Sequence, residues 1–166
     1  MNLSDVRDGT RALIDANIFL YWLTQRSIEC GLFLRRCADR SVQGYASVLS
    51  LTEVAHRLMM LEAKENGWAE GPNPVRSLEL RPERVQTLRR YEDRLRDILA
   101  LRLHLEDFQH VDLIESFSIR RRYGLLTNDS IFIAVAVRLG IRDVISADKG
   151  LERAAGYTVY QPSDLK

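Results

Sequence analysis

Arg11-Ala12-Leu13-Ile14-Asp15, followed directly by Ala16-Asn17-Ile18-Phe19-Leu20-Tyr21-Trp22-Leu23, is the stretch on which the reading of the fold turns. Polar punctuation at Asp8-Gly9-Thr10 precedes a short apolar run that closes on an acid, the pattern of a buried strand. Ile18 to Leu23 is apolar almost throughout and is read as a short buried helix. A strand passing straight into a helix is the unit from which α/β domains are built, because a parallel neighbour can be reached only through a crossover.

Outward from this unit the alternation continues. Ser27 is placed to cap a second helix reaching about Arg40, with Ile28, Leu32, Phe33 and Cys37 on one face. Val42 to Ala46 predicts a second strand, and Ser47 or Ser50 caps a long helix with Leu51, Val54, Ala55, Leu58, Met59 and Glu62 at helical spacing, stopped at Gly67. Residues 67–82 hold three of the four prolines and are expected to form an irregular, flexible insert. Pro82 opens a further helix to about His104. Phe108 to Val111 reads as a third strand, and Asp112 as the cap of a helix ending at Gly124. Ile131 to Val137 has the β-branched content of a strand. Asn128 or Thr127 as a cap and Gly140 as a stop nevertheless frame a buried helix. Asp143 to Ser146 and Tyr157 to Tyr160 supply the last strands, with a short helix from Lys149 to Ala155 between them. The expected fold is α/β: a three-layer α/β/α sandwich around a mainly parallel sheet of about five strands, a single domain over residues 1–166.

Composition narrows the function classes. The chain has 166 residues, of which 46% are hydrophobic and 28% charged, which excludes a disordered or collagen-like chain. No apolar run approaches the ~18–20 residues of a membrane span. Met1 to Asp8 lacks the pattern of a secretory signal. Cys30 and Cys37 fall on one helix about 10 Å apart along its axis, too far to bond. They are expected to be reduced, as in a cytoplasmic protein. The net charge of +1 conceals a strong preference for arginine, 21 Arg against 3 Lys. Most of these arginines alternate with Glu and Asp, so charge alone does not establish nucleic-acid binding.

Ligands of an open parallel sheet bind outside the carboxyl ends of its strands. Asp15 ends the first strand, Asp148 follows the fourth, Glu53 lies one turn into the helix after the second, and Asp129 opens a buried helix. Four acids from distant parts of the chain are thus aimed at one sheet edge. Crowded carboxylates stay ionised only with a cation among them. Oxygen ligands favour Mg²⁺ or Mn²⁺. Such an ion lowers the pKa of bound water and neutralises phosphoryl charge, which suits hydrolysis of a phosphodiester.

Leu13-Ile14-Asp15-Ala16-Asn17, Leu51-Thr52-Glu53-Val54, Leu125 to Ala134 and Val144-Ile145-Ser146-Ala147-Asp148 together resemble the four acidic motifs of the PIN-domain nucleases, nearest the VapC-type toxins. The resemblance runs in order over nearly the whole chain. It implies a metal-dependent endoribonuclease with an RNA substrate, frequent homodimers, and often an antitoxin protein that blocks the site. Residue by residue, it implies that Asp15, Glu53, Asp129 and Asp148 are the acidic quartet. Asn17 matches a polar position beside the first acid, and Ser146 the small hydroxyl two residues before the last. Ser130 replaces a commoner alanine. Lys149 and Gly150 stand where many relatives carry another acid, which leaves one metal or two open.

Other readings compete. Asp15-Ala16-Asn17 resembles the first motif of haloacid-dehalogenase-like phosphatases, but Asn17 cannot serve as the second, proton-carrying acid. Glu53 and His56 form a Glu-x-x-His pair that a di-iron bundle needs twice, and there is one. A PIN-like module that only binds RNA or a protein is the non-enzymatic alternative. Arg120-Arg121-Arg122 is either a solvated helix end or a phosphate-binding patch. Trp68, within the insert, has a base or a subunit contact as candidate partners.

Overall fold

In the computed structural model, residues 1–165 are described, and all five strands run parallel in one sheet of order β3-β2-β1-β4-β5. The strands are β1 (Arg11–Ile14), β2 (Gln43–Ser47), β3 (His104–Glu106), β4 (Asp143–Ile145) and β5 (Thr158–Tyr160). Leu13 pairs with Tyr45 on one side and Val144 on the other, so β1 is the centre of the sheet. Successive strand residues face opposite sides. Ala12 and Ile14 accordingly enter one core with Ile18, Phe19, Leu34, Val54 and Ile98. Leu13 enters the other with Phe132, Ile133, Val144 and Leu151. The two cores make the three layers. One helical layer holds α1 (Ala16–Leu23), α2 (Ile28–Ala38), α3 (Val48–Glu65) and α6 (Arg90–Leu99), and the other holds α7 (His110–Tyr123) and α8 (Thr127–Leu139).

Several boundaries follow the sequence closely. Ser27 accepts the Cys30 N–H at the start of α2, and Ser47, not Ser50, caps α3 by accepting the Leu49 N–H. Ile131 to Val137 is helical, as its flanking signals indicated, and Gly140 ends α8 at a φ of 63° that suits glycine. Both cysteines are free and buried, and burial pushes their thiols up to about 11 and about 12.

Other expectations are corrected. The buried face of α2 is Cys30, Phe33, Leu34 and Cys37, while Ile28 and Leu32 are exposed. Residues 67–82 are not irregular throughout, because Asn73 caps α4 (Pro74–Glu79) by accepting the Arg76 N–H. Leu78 of α4 and Ala69 pack with Ala63 and Leu88 in a small third cluster. The helix expected from Pro82 to His104 is broken into α5 (Pro82–Val85) and α6. The cause lies in α3: buried Glu62 accepts the N–H groups of Arg89 and Tyr91 and so creates a new helix start. The third strand is His104–Glu106, not Phe108–Val111, because α7 already begins at His110. There Asp112 is the third helical residue and accepts the Gln109 N–H in a capping box. Arg138, in the last turn of α8, donates to Asp112 and Glu106 and locks α7, α8 and β3 together.

The two ends of the described chain meet at the β5 edge. Asn2 bridges Gln161, the Met1 ammonium donates to the Val159 carbonyl, and Gln161 N–H donates back to Met1. Asp164 accepts from Ser27 and from the first N–H groups of α2. Among the described residues no helix is long and apolar enough to cross a membrane.

Candidate active site

From β1 the chain runs outward to β2 and β3, and then returns to β4 and β5 on the other side. The crevice at the carboxyl end of β1 and β4 is therefore a topological switch point, where α/β sheets bind ligands. An open cleft of about 1040 Å³ lies there. Its wall carries Asp15, Glu53, Asp129 and Asp148 together, with Asn17 beside them.

Each acid arrives by a local device. Asp15 leaves β1 as the N-cap of α1, its Oδ1 accepting the Ala16 N–H at 2.7 Å. Glu53 is one turn into α3, which starts where β2 ends. Asp129 is the third residue of α8, whose N-cap is Leu126 rather than the expected Asn128 or Thr127. Asp148 caps the 3₁₀ turn Lys149–Arg153 by accepting the Gly150 N–H at 2.6 Å. The amino ends of α1, α3 and α8 all face the cleft, and helix amino termini favour negative charge.

Ser146, wholly buried, joins the ends of β1 and β4. Its hydroxyl donates to Asp15 Oδ2 at 2.6 Å and accepts from Asn17 Nδ2 and from the Asp148 N–H. Asn17 Nδ2 also donates to Asp15 Oδ2 at 2.6 Å, and its Oδ1 accepts the Ala147 N–H. A hydroxyl with one proton and two lone pairs has all three engaged. The network fixes the orientation of the Asp15 carboxylate.

Electrostatics register the crowding. Burial raises Asp15 to about 6, hydrogen bonds from Ser146 and Ala16 resist, and the charges of Glu53 and Asp129 add to the rise. Burial, then the charges of Asp148 and Glu53, raise Asp129. Asp129 is thus the acid that feels each of the other regions of the cleft, through Asp148 and Glu53 and in its effect on Asp15. Among the described residues, however, no three acidic, His or Cys side chains form a ready metal cage. Three of the carboxylates are held by partners of their own: Asp15 by its network, Asp148 by Gly150, and Glu53 by Arg57 at 2.8 Å. Both side chains of the Glu53–Arg57 pair are at least partly exposed. The donor set, all carboxylate oxygen with no His or Cys on the wall, fits a hard divalent cation.

Arg57 and Lys149 are the basic side chains of the cleft wall. Arg57 was not singled out from the sequence: its i,i+4 spacing from Glu53 announces an ion pair on a helix surface, not a place on a cleft wall. Arg120, Arg121 and Arg122 are exposed in the last turn of α7 and do not line the cleft. His56 is exposed and also absent from the wall. Trp68 is half-buried, with the Arg84 guanidinium 5.5 Å over its ring.

No curated protein sequence matches this chain significantly. Similar solved structures do exist. A toxin–antitoxin complex from Klebsiella pneumoniae shares 21% identity over 89% of this chain and 95% of that one, with a TM-score of 0.57. VapBC2 from Rickettsia felis, bound to a DNA fragment from its promoter, shares 15% over 92% and 98%, with a TM-score of 0.56. VapC20 from Mycobacterium tuberculosis, described as a toxin that cleaves the sarcin–ricin loop, shares 14% over 89% and 96%, with a TM-score of 0.56. These likenesses are of fold. Residues 12–157 match the PIN domain family itself. The chain belongs to the PIN domain family.

Proposed function

We propose that residues 1–166 act as one PIN-like unit, a Mg²⁺- or Mn²⁺-dependent endoribonuclease that hydrolyses RNA phosphodiester bonds. The observation that carries this reading is the single cleft at the sheet switch point into which Asp15, Glu53, Asp129 and Asp148 converge. In this reading those four carboxylates hold the ion. When bound, the ion supplies charge neutralisation at the phosphoryl oxygens and a more acidic attacking water. The protein's own groups do the rest. Ser146 and Asn17 keep the Asp15 carboxylate in one orientation, so that no reorganisation is needed as charge develops. The open amino end of α8 at Thr127 and Asn128, together with Lys149, offers N–H groups and a cation to the phosphate backbone.

Purified protein incubated with structured and unstructured RNA in Mg²⁺, Mn²⁺ or chelator tests the reading. Cleavage is expected with metal, is lost in chelator, and falls at least about 100-fold in Asp15→Asn with folding intact. Equal activity in Asp15→Asn would overturn it.

The same proposal makes the protein the toxin of a toxin–antitoxin pair, working in the cytoplasm. The Klebsiella and Rickettsia assemblies, which contain antitoxins, support a protein antitoxin as partner. It also includes a homodimer. Ile114 and Phe117, three residues apart on α7 and flanked by Val111 and Leu113, leave an apolar strip exposed. Light scattering should give twice the chain mass for the unaltered protein and a monomer for Ile114→Lys; a monomer in both cases would remove the dimer.

A further inference from the structure

A second groove, of about 630 Å³, lies between α3 and residues 69–74 of the insert. Its α3 wall is Arg57, Met60, Leu61 and Lys64, and its opposite wall includes Ala69, Glu70 and Pro74. Positions 57, 60, 61 and 64 are spaced i, i+3, i+4 and i+7, so they form one stripe along the helix. Glu53, four residues before Arg57, continues that stripe into the acidic cleft. Arg57 lines both spaces, which makes the groove an extension of the cleft.

The stripe alternates in chemistry as well. Arg57 and Lys64 stand about 10 Å apart along the axis at its two ends. Met60 and Leu61 lie between them, Leu61 being 38% exposed. A stacked strand advances about 3.4 Å per nucleotide, so roughly three nucleotides span the distance between the two cations. Glu70 is the one acid on the groove wall, against Lys64 and against Arg57, whose guanidinium also meets Glu53. An anionic polymer that also presents flat apolar faces fits such a surface, and single-stranded nucleic acid has both properties.

We propose that this groove is a second substrate subsite, holding the RNA strand beyond the scissile phosphate, with Lys64 against a phosphate and Met60 and Leu61 beneath a base. The proposal rests on the endoribonuclease reading. The insert is then a specificity element, because it supplies the wall that turns an exposed helix face into a channel.

The test compares labelled oligoribonucleotides of 4 and 12 nucleotides by fluorescence anisotropy, in an Asp15→Asn background so that RNA stays intact. The 12-mer should bind at least fivefold more tightly than the 4-mer. Lys64→Gln should weaken 12-mer binding about threefold or more, and flatten its dependence on log salt by about 0.7, the amount expected for one single-strand phosphate contact. Leu61→Glu, which sets a negative charge on the groove floor, should also weaken the 12-mer. Neither change should alter the 4-mer. Variants that bind the 12-mer with unchanged affinity and salt slope would overturn the subsite and leave the groove to a polypeptide. Equal weakening of 4-mer and 12-mer would overturn it as well. Failure of the endoribonuclease reading is separate: it shows as absence of metal-dependent cleavage by the unaltered chain.

Discussion

Removing the Ser146 hydroxyl takes a donor from Asp15 and an acceptor from the Asp148 N–H in one step. Ser146→Ala is therefore expected to lower nuclease activity about 10- to 100-fold, the usual cost of losing a group that orients a ligand. The unfolding free energy should fall by about 1.5–3 kcal/mol, the usual contribution of a hydrogen bond to a charged group. A steady-state rate within twofold of the unaltered protein would show that Asn17 suffices to hold Asp15. At this scale the sequence was most informative where chemistry and chain position coincide. Asp15 was legible because it closes a buried apolar run, and Asp148 because it follows one, although each also caps the helical turn that comes next. Arg57 was not, because an arginine on an exposed helix face looks the same whether it borders a cleft or only water.

Glu62 shows why element boundaries were harder to read than the elements themselves. Its position on the buried face of α3 was plain from spacing, yet the helix it caps begins 27 residues later in the sequence. Sequence signals for helix starts are local, so a cap supplied from another element leaves no mark near the break. The three-residue β3 escaped for a different reason: His104 and Leu105 are exposed, so it carries no apolar alternation. By contrast β1 and β4 were legible because both faces of each are covered and their apolar runs say so. The run of α8 looks equally like a strand, and it was read as a helix from its flanking signals, of which Gly140 is the one that holds. The Glu62 cap has a consequence for pH. Burial opposes its ionisation, but the N–H groups of Arg89, Tyr91 and Arg90 outweigh it and hold the carboxyl below the ordinary glutamate range. A lowered folded-state value means the stabilisation is complete at neutral pH and is lost as pH falls below about 4.3 and through the folded value. Glu62→Gln should cost about 1.5–3 kcal/mol at pH 7, and chemical denaturation of the variant should depend less on pH between 5 and 3 than that of the unaltered chain. Parallel pH curves would assign the cap no ionic role.

For the molecule as a whole, burial and mutual repulsion oppose ionisation of Asp15 and Asp129, a cost that the proposed ion would relieve. Metal that binds only the folded state raises stability by about 2.7 kcal/mol at 100 times its dissociation constant. For a chain of this length each kcal/mol shifts the melting temperature by about 2–4 °C. Saturating Mn²⁺ is thus expected to raise the melting point by several degrees in the unaltered protein, and by much less in Asp129→Asn. A shift of the same size in both would mean that the ion binds elsewhere. The global architecture was legible because α/β topology follows from alternation alone, whereas the second groove was not, since it depends on how the insert folds back against α3. The closure at the β5 edge carries one more consequence. Because Met1 and Asn2 are stitched to residues 159–161, the first residues lie beside a segment that ends four residues before the last described position. The order in which the ribosome makes the strands is then separable from the final arrangement. A circularly permuted gene, with its old ends joined by a few glycines and new ends opened at exposed Pro72, should reach the same native state.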